Sequence, residues 1–164
     1  MPNKMPSILV GALAHTVVSV LVTLLVASGG MGMAGSAIGC LSLFVASVAA
    51  VAHYTSTHRL TIPAGQGAGL GAAATLVGVL VAFAVTYLLQ TLGVTPSPEE
   101  MMEIQRAELE RQGMSAEQIE QGMAMGEKFS SPLIALAISI PMGAIAGAIG
   151  GAVTALIVRK GDAA

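Results

Sequence analysis

The pattern of hydrophobic and polar positions divides the chain into long apolar segments and one polar segment. No Asp, Glu, Lys or Arg occurs in residues 5–58, 60–98 or 129–158. Ionised side chains are costly inside a bilayer, and a helix needs about 20 mainly apolar residues to cross it. Glycine, proline and charged residues divide the apolar segments into four predicted transmembrane helices, at about 7–28, 35–54, 66–91 and 133–158.

The polar segment, residues 94–131, is predicted to form a helical hairpin. Ser97 and Glu100 match a capping box, in which each side chain satisfies a free backbone amide at the start of a helix. This first helix should end at Gly113, a residue type that favours the end of a helix. A second helix should follow and extend to about Phe129.

Composition changes the class of protein under consideration. The chain is 54% hydrophobic and only 10% charged, and its mean hydropathy is +0.80. Charged residues make up about a quarter of an ordinary soluble domain, so a soluble globular enzyme is not expected. No segment alternates apolar and polar residues as a strand of a membrane β-barrel does. We therefore predict an all-α integral membrane protein, a single domain over residues 1–164, with four transmembrane helices and a soluble helical hairpin inserted between helices three and four.

The distribution of charge predicts the orientation. Cytoplasmic loops of membrane proteins are enriched in Lys and Arg. A cytoplasmic N-terminus places Lys4, Arg59, Arg159 and Lys160 on the cytoplasmic side. The hairpin, with eight Glu against three Arg and Lys, is then extracytoplasmic. We expect a multi-pass protein of the inner (cytoplasmic) membrane with both termini inside, and an uncleaved first helix rather than a signal peptide.

Small residues recur at helical spacing in the last two predicted transmembrane helices. Small side chains let helix backbones approach closely in lipid. Packing within the chain is favoured over a homodimer seam, although a homo-oligomer stays open. The candidate packing residues are Gly67, Gly71, Gly78, Gly143, Gly147 and Gly151.

His15 is the one clearly ionisable residue within a predicted transmembrane helix, and Ser47 falls at a comparable depth. Together they are the candidate intramembrane polar site, for a proton or a substrate. The alternative is a structural, neutral imidazole bonded to a hydroxyl or a carbonyl. That alternative is favoured because no predicted transmembrane helix contains an acidic residue that would complete a proton relay.

Other residues give weaker indications of chemistry. His53, His58 and Arg59 are interpreted as a loop that faces lipid headgroups rather than as a metal site. The 10 methionines suggest Cu(I), but packing explains them better. Cys40 is interpreted as a small apolar residue. No catalytic triad or phosphate-binding loop is recognisable, so we expect no enzymatic activity, no cofactor and no metal. Net charge is −2, Trp is absent and aromatic residues are 3%, so nucleic acid is not an expected partner.

Residues from about 50 to 160 resemble an uncharacterised bacterial membrane family, domain of unknown function 4199. The matching residues are Tyr54, Ile62, Gly65, Gly71, Gly113-Met114-Ser115-Ala116-Glu117-Gln118-Ile119, Glu127-Lys128-Phe129, Pro132, Pro141, Gly143 and Arg159-Lys160. The chain departs from the family in its alanine- and glycine-rich helices and in lacking an aromatic residue after Ile62. The resemblance implies the topology above and implies no function.

These observations lead to one functional hypothesis and two alternatives. The first is a small non-catalytic accessory or scaffolding subunit of a membrane complex, with the lipid bilayer and other membrane subunits as partners. The second is a small transporter or channel with a site near His15. The third is an extracytoplasmic Cu(I)-binding module.

Overall fold

The computed structural model describes residues 2–28, 32–129 and 131–161, and all secondary structure in these ranges is helical. The predicted all-α class is therefore confirmed for the described part of the chain. The helices are α1 (Met5–Ala27), α2 (Gly32–His58), α3 (Ala64–Thr91), α4 (Pro98–Arg111), α5 (Ala116–Phe129) and α6 (Pro132–Gly161).

The four long helices, α1, α2, α3 and α6, pack side by side. Helices α2 and α3 contact each other, and each of them also contacts both α1 and α6. Helices α3 and α6 are antiparallel, because Gly67 lies against Ala155 whereas Val79 lies against Gly143. The turn after α2, at Arg59, therefore lies at one end of the four helices, and the segment that follows α3 lies at the other.

The buried residues of these four helices are mainly small or polar. Gly71, Ala74 and Ser47 are buried, whereas Leu13 is 65% and Ile157 66% exposed. Water-soluble proteins show the reverse, with large aliphatic side chains inside. Close packing of small residues with large apolar residues facing outward is the arrangement that lipid favours.

Three helical segments are long and apolar enough to cross a membrane: Met5–Ala27, Ala64–Thr91 and Leu133–Val158. They identify the chain as a lipid-embedded protein. Helix α2 is 27 residues long, but the side chains of its first turns and of Cys40 lie outside the described part. A fourth crossing stays a prediction.

The polar segment contains helices α4 and α5, which contact each other, and α5 also contacts α6. The predicted capping box is present: the Glu100 amide donates to Ser97 Oγ at 3.2 Å, and the Ser97 amide donates to Glu100 Oε2 at 2.7 Å. Gly113 has φ +72°, the left-handed conformation that ends many helices. Buried Ile119 lies on α5.

One sequence interpretation is wrong in its local structure. His53 and His58 lie within the last turns of α2 rather than in a loop, and Arg59 alone of the three follows the helix. Helix α2 continues through His58 because neither glycine nor proline occurs between Tyr54 and Pro63.

Candidate intramembrane polar site

His15 is buried, with 4% of its surface exposed, between α1, α2 and α3. Its Nδ1 lies 3.0 Å from the carbonyl oxygen of Ser42, and its Nε2 lies 3.3 Å from Ser19 Oγ. A carbonyl oxygen only accepts, so Nδ1 carries a proton and donates it. In the neutral ring, Nε2 then accepts from the Ser19 hydroxyl. Both ring nitrogens are satisfied without a charge.

A glycine on α3 provides the space for this ring. A Cβ placed on Gly78 would lie 3.0 Å from His15 Cδ2 and 3.1 Å from His15 Cβ. Such distances are tighter than nearly all real Cβ contacts, so even an alanine at position 78 would require the imidazole or α1 to shift by a few tenths of an ångström. Gly78 therefore packs against α1, whereas Gly67 and Gly71 of α3 face α6.

Ser47 is fully buried but does not bond to His15. Its hydroxyl donates to the carbonyl of Phe44 in its own helix at 2.8 Å. It lies between Gly71 of α3 and Gly150 of α6, where added Cβ atoms would meet its side chain. The two residues of the candidate site therefore have separate environments within the bundle.

The relative heights of the helices explain this separation. Gly11 of α1 lies against Ala46 of α2 and Ala74 of α3. Because α1 and α2 are antiparallel, His15, about one turn further along α1, is level with Ser42 rather than with Ser47. Counting residues from predicted helix starts does not reveal this offset, so the sequence interpretation missed Ser42. It also missed Ser19, which lies four residues after His15 on α1 and so on the same face of the helix. The available signal was that a buried imidazole needs two hydrogen-bond partners.

All the predicted packing glycines except Gly78 lie in a seam between α3 and α6. Cβ atoms placed on Gly67 and Gly151 would each meet the backbone carbonyl of the other residue. Gly71 and Gly147 have the same relation one turn further along α3. Gly143 contacts Val79, to whose Cγ2 its Cβ would lie 3.2 Å away. The seam brings two backbones together within one chain.

A second polar cluster ties the start of α1 to the end of α2. Ser7 Oγ lies 2.9 Å from His53 Nδ1, and the Tyr54 hydroxyl donates to the carbonyl of Pro2 at 3.4 Å. The rings of Tyr54 and His58 meet edge to face at 5.0 Å. The sequence interpretation did not identify Ser7, whose partner is 46 residues away.

The described residues do not contain a group of three or more His, Cys, Asp or Glu side chains placed to hold a metal ion. The methionines of the copper hypothesis are only partly covered: Met31 is outside the described residues, and the side chains of Met33 and Met125 are not described either.

Comparison with known proteins gives one match. Residues 10–160 match the model of a family described as "Protein of unknown function (DUF4199)". Neither the curated proteins nor the solved structures provide a match. The family match covers more of the chain than the residues that carried the resemblance, because it also includes most of α1 and all of α2. The chain belongs to the DUF4199 family of proteins of unknown function.

Proposed function

We propose that this protein is a non-catalytic accessory or scaffolding subunit of a complex in the inner membrane. Four helices, α1, α2, α3 and α6, cross the bilayer as a bundle, with both termini in the cytoplasm. The α4–α5 hairpin is extracytoplasmic and is the part that contacts another subunit.

The observation that carries this proposal is the contrast between a bundle with satisfied polar groups and an exposed, acidic hairpin. In the bundle, His15, Ser47 and Thr75 all bond to backbone carbonyls, so their polar atoms are directed to neighbours within the chain. Such groups stabilise a fold and leave little capacity for chemistry. The large apolar side chains on the outside of the bundle contact lipid. Any membrane helix bundle would make such contacts, so they do not indicate a specific partner.

The hairpin presents charged side chains to water. Arg106 pairs with Glu110 and Arg111 pairs with Glu108, so part of the charge is balanced within α4. The further glutamates with exposed side chains are Glu99, Glu100, Glu103, Glu117 and Glu120. An acidic surface of this kind favours encounter with a basic partner.

Site-specific photocrosslinking from the hairpin in native membranes tests the proposal. A crosslinking residue at Glu117 or Glu120 should yield one adduct of defined mass, identified as the same protein from both positions. The matched control is the same residue at Ile157, on the lipid-facing side of α6, which should not yield that adduct. A Glu117→Lys/Glu120→Lys double variant should lose the complex while the chain stays in the membrane.

Two results would contradict an accessory role. The first is a monodisperse monomer in mild detergent together with no adduct from either hairpin position. The second is an adduct only with another copy of the chain, which would indicate a homo-oligomer instead of a complex with a different subunit.

The orientation of the chain in the membrane is tested separately, by labelling introduced cysteines after the single native cysteine has been removed. In a Cys40→Ala background, Ala116→Cys should react with a membrane-impermeant maleimide in intact cells, and Ser56→Cys should react only after the membrane is opened. Both positions are exposed in the structure, so accessibility within the fold does not bias the comparison. Equal reactivity of the two sites in intact cells would contradict their placement on opposite sides of the membrane.

His15 supports a second candidate, a small transporter or channel. An ionisable group buried among membrane helices is a common feature of proton and ion pathways. His15→Gln keeps hydrogen-bonding capacity without a titratable ring, whereas Ser47→Ala removes a hydroxyl that bonds within its own helix. Proton flux into vesicles containing the purified chain should disappear in the first variant and persist in the second. Absence of flux in the unaltered protein would remove this candidate.

A further inference from the structure

At the end of the bundle that contains Arg59, the start of α1 lies against the last turns of α2. The Ser7–His53 bond involves a serine that is 1% exposed, and the Tyr54–Pro2 bond lies on the N-terminal side of it. Lys4 lies between Pro2 and Ser7 in sequence. The two bonds therefore hold the backbone around Lys4 against α2 near His53 and Tyr54, shortly before the helix ends at His58 and the chain turns at Arg59.

Arg59 has an unusual backbone conformation for its residue type. Its φ is +51°, and the amide of Leu60 donates to the carbonyl of Thr55 at 3.1 Å, which closes the end of α2. Glycine is the usual residue at this position of a helix end because other residues are strained there. Arg59 holds this conformation with an exposed side chain, and residues in strained conformations cluster at functional sites.

The chain supplies few counter-ions at this end. Residues 1–98 contain no Asp or Glu, and α6 has none either; Asp162 lies outside the described residues. The described ion pairs are both in α4, at the opposite end of the bundle. Cations at a membrane surface without carboxylate partners are attracted to anionic lipid, by about 1 kcal/mol for each Lys or Arg.

We infer that Lys4 and Arg59, with the imidazole of His58, form a site for the phosphate of an anionic phospholipid in the adjacent leaflet. The two cations supply the charge, and the Ser7–His53 and Tyr54–Pro2 bonds hold the two segments together. The inference rests on the proposed position of the bundle in the membrane, and it is independent of the accessory role.

Thermal unfolding of the purified full chain in detergent micelles tests the site. Added phosphatidylglycerol should raise the Tm more than the same amount of phosphatidylcholine. Arg59→Gly removes the charge but suits the left-handed turn, so the variant should fold. Its apparent affinity for phosphatidylglycerol should fall about fivefold, the effect expected for one lost charge. Lys4→Gln should have a similar effect without altering the turn.

Arg106→Gln is the matched control, since it removes one positive charge at the other end of the molecule. It should retain the full response to phosphatidylglycerol. Inorganic phosphate at equal ionic strength should not reproduce the shift. The site is overturned if both lipids raise the Tm equally, or if inorganic phosphate alone reproduces the shift. It is also overturned if Lys4→Gln and Arg59→Gly respond like the unaltered chain, or if Arg106→Gln loses the response. Loss of a protein partner in crosslinking would leave these results unchanged, so the two proposals fail separately.

Discussion

The helical bundle and the hairpin follow opposite rules within one chain. In the bundle, the buried residues are mainly glycine, alanine, serine and threonine, and most large aliphatic residues lie outside. In the hairpin, Ile119 is buried and glutamates are exposed. The same backbone geometry, the α-helix, serves both. The difference shows that the surrounding solvent, lipid or water, decides which residue types a helix buries.

The two regions also depend on different interactions. Lipid provides no hydrophobic drive for helix association, so the bundle depends on close contact at glycines and on bonds between helices such as Thr75 Oγ1 to the Leu43 carbonyl, at 3.2 Å. In the hairpin, Leu109 of α4 faces Gly122 of α5, where an added Cβ would lie 3.9 Å from Leu109 Cδ1. The hairpin helices also have capped ends. Substitutions matched between the two regions should therefore have unequal effects.

The largest contrast is expected for an added charge. Val17 lies near the middle of α1 and is 49% exposed, whereas Ala107 is exposed near the middle of α4. Val17→Asp should disfavour membrane insertion of α1 by about 2.5–3.5 kcal/mol, and Ala107→Asp should have almost no effect. The measurement is the fraction of chain that resists alkaline extraction from membranes. Normal integration of Val17→Asp would show that this face of α1 contacts water or protein instead of lipid.

The glycine seam should show the next largest effect, and its control lies on the same helix. A methyl group on Gly71 would meet the carbonyl of Gly147 and lie 2.9 Å from the Cα of Gly151, whereas Gly69 has nothing within 4 Å. Gly71→Ala should lower the free energy of unfolding by about 1–3 kcal/mol. Gly69→Ala should raise it by about 0.5–1 kcal/mol, because alanine restricts the unfolded chain and favours helix. Unfolding in mixed micelles of mild and denaturing detergent measures both; equal effects would mean that α3 and α6 are not in close contact.

Removing a helix cap in the hairpin should have a smaller effect on stability, confined to the helix that loses the cap. Ser97→Ala removes the acceptor of the Glu100 amide and should destabilise the start of α4 by about 1 kcal/mol. Hydrogen exchange of the first α4 amides should accelerate, while exchange in α3 and α6 stays unchanged. Ser97→Thr, which keeps the hydroxyl, is the control. Faster exchange throughout the bundle would indicate that the hairpin and the bundle unfold together.

How far the sequence predicts this structure depends on whether a feature is local. The Ser97–Glu100 capping box and the turn at Gly113 follow rules that operate within a few residues, and both are present. The partner of His15 could not be predicted in this way. It depends on the relative height and rotation of α1, α2 and α3, which are set by contacts such as that of Gly11 with Ala46.

The smallest expected effect is that of a surface ion pair in the hairpin. Arg106 Nε lies 3.3 Å from Glu110 Oε1, but the two side chains are 67% and 58% exposed. Water screens such pairs, and an exposed pair one turn apart contributes about 0.3–0.5 kcal/mol or less. Glu110→Gln should therefore leave hydrogen exchange of α4 unchanged within error, in low salt and in high salt. In native membranes, slower exchange of α4 that is lost in Glu110→Gln would instead mean that the pair is shielded from water by a bound partner, and it would locate the contact surface on α4.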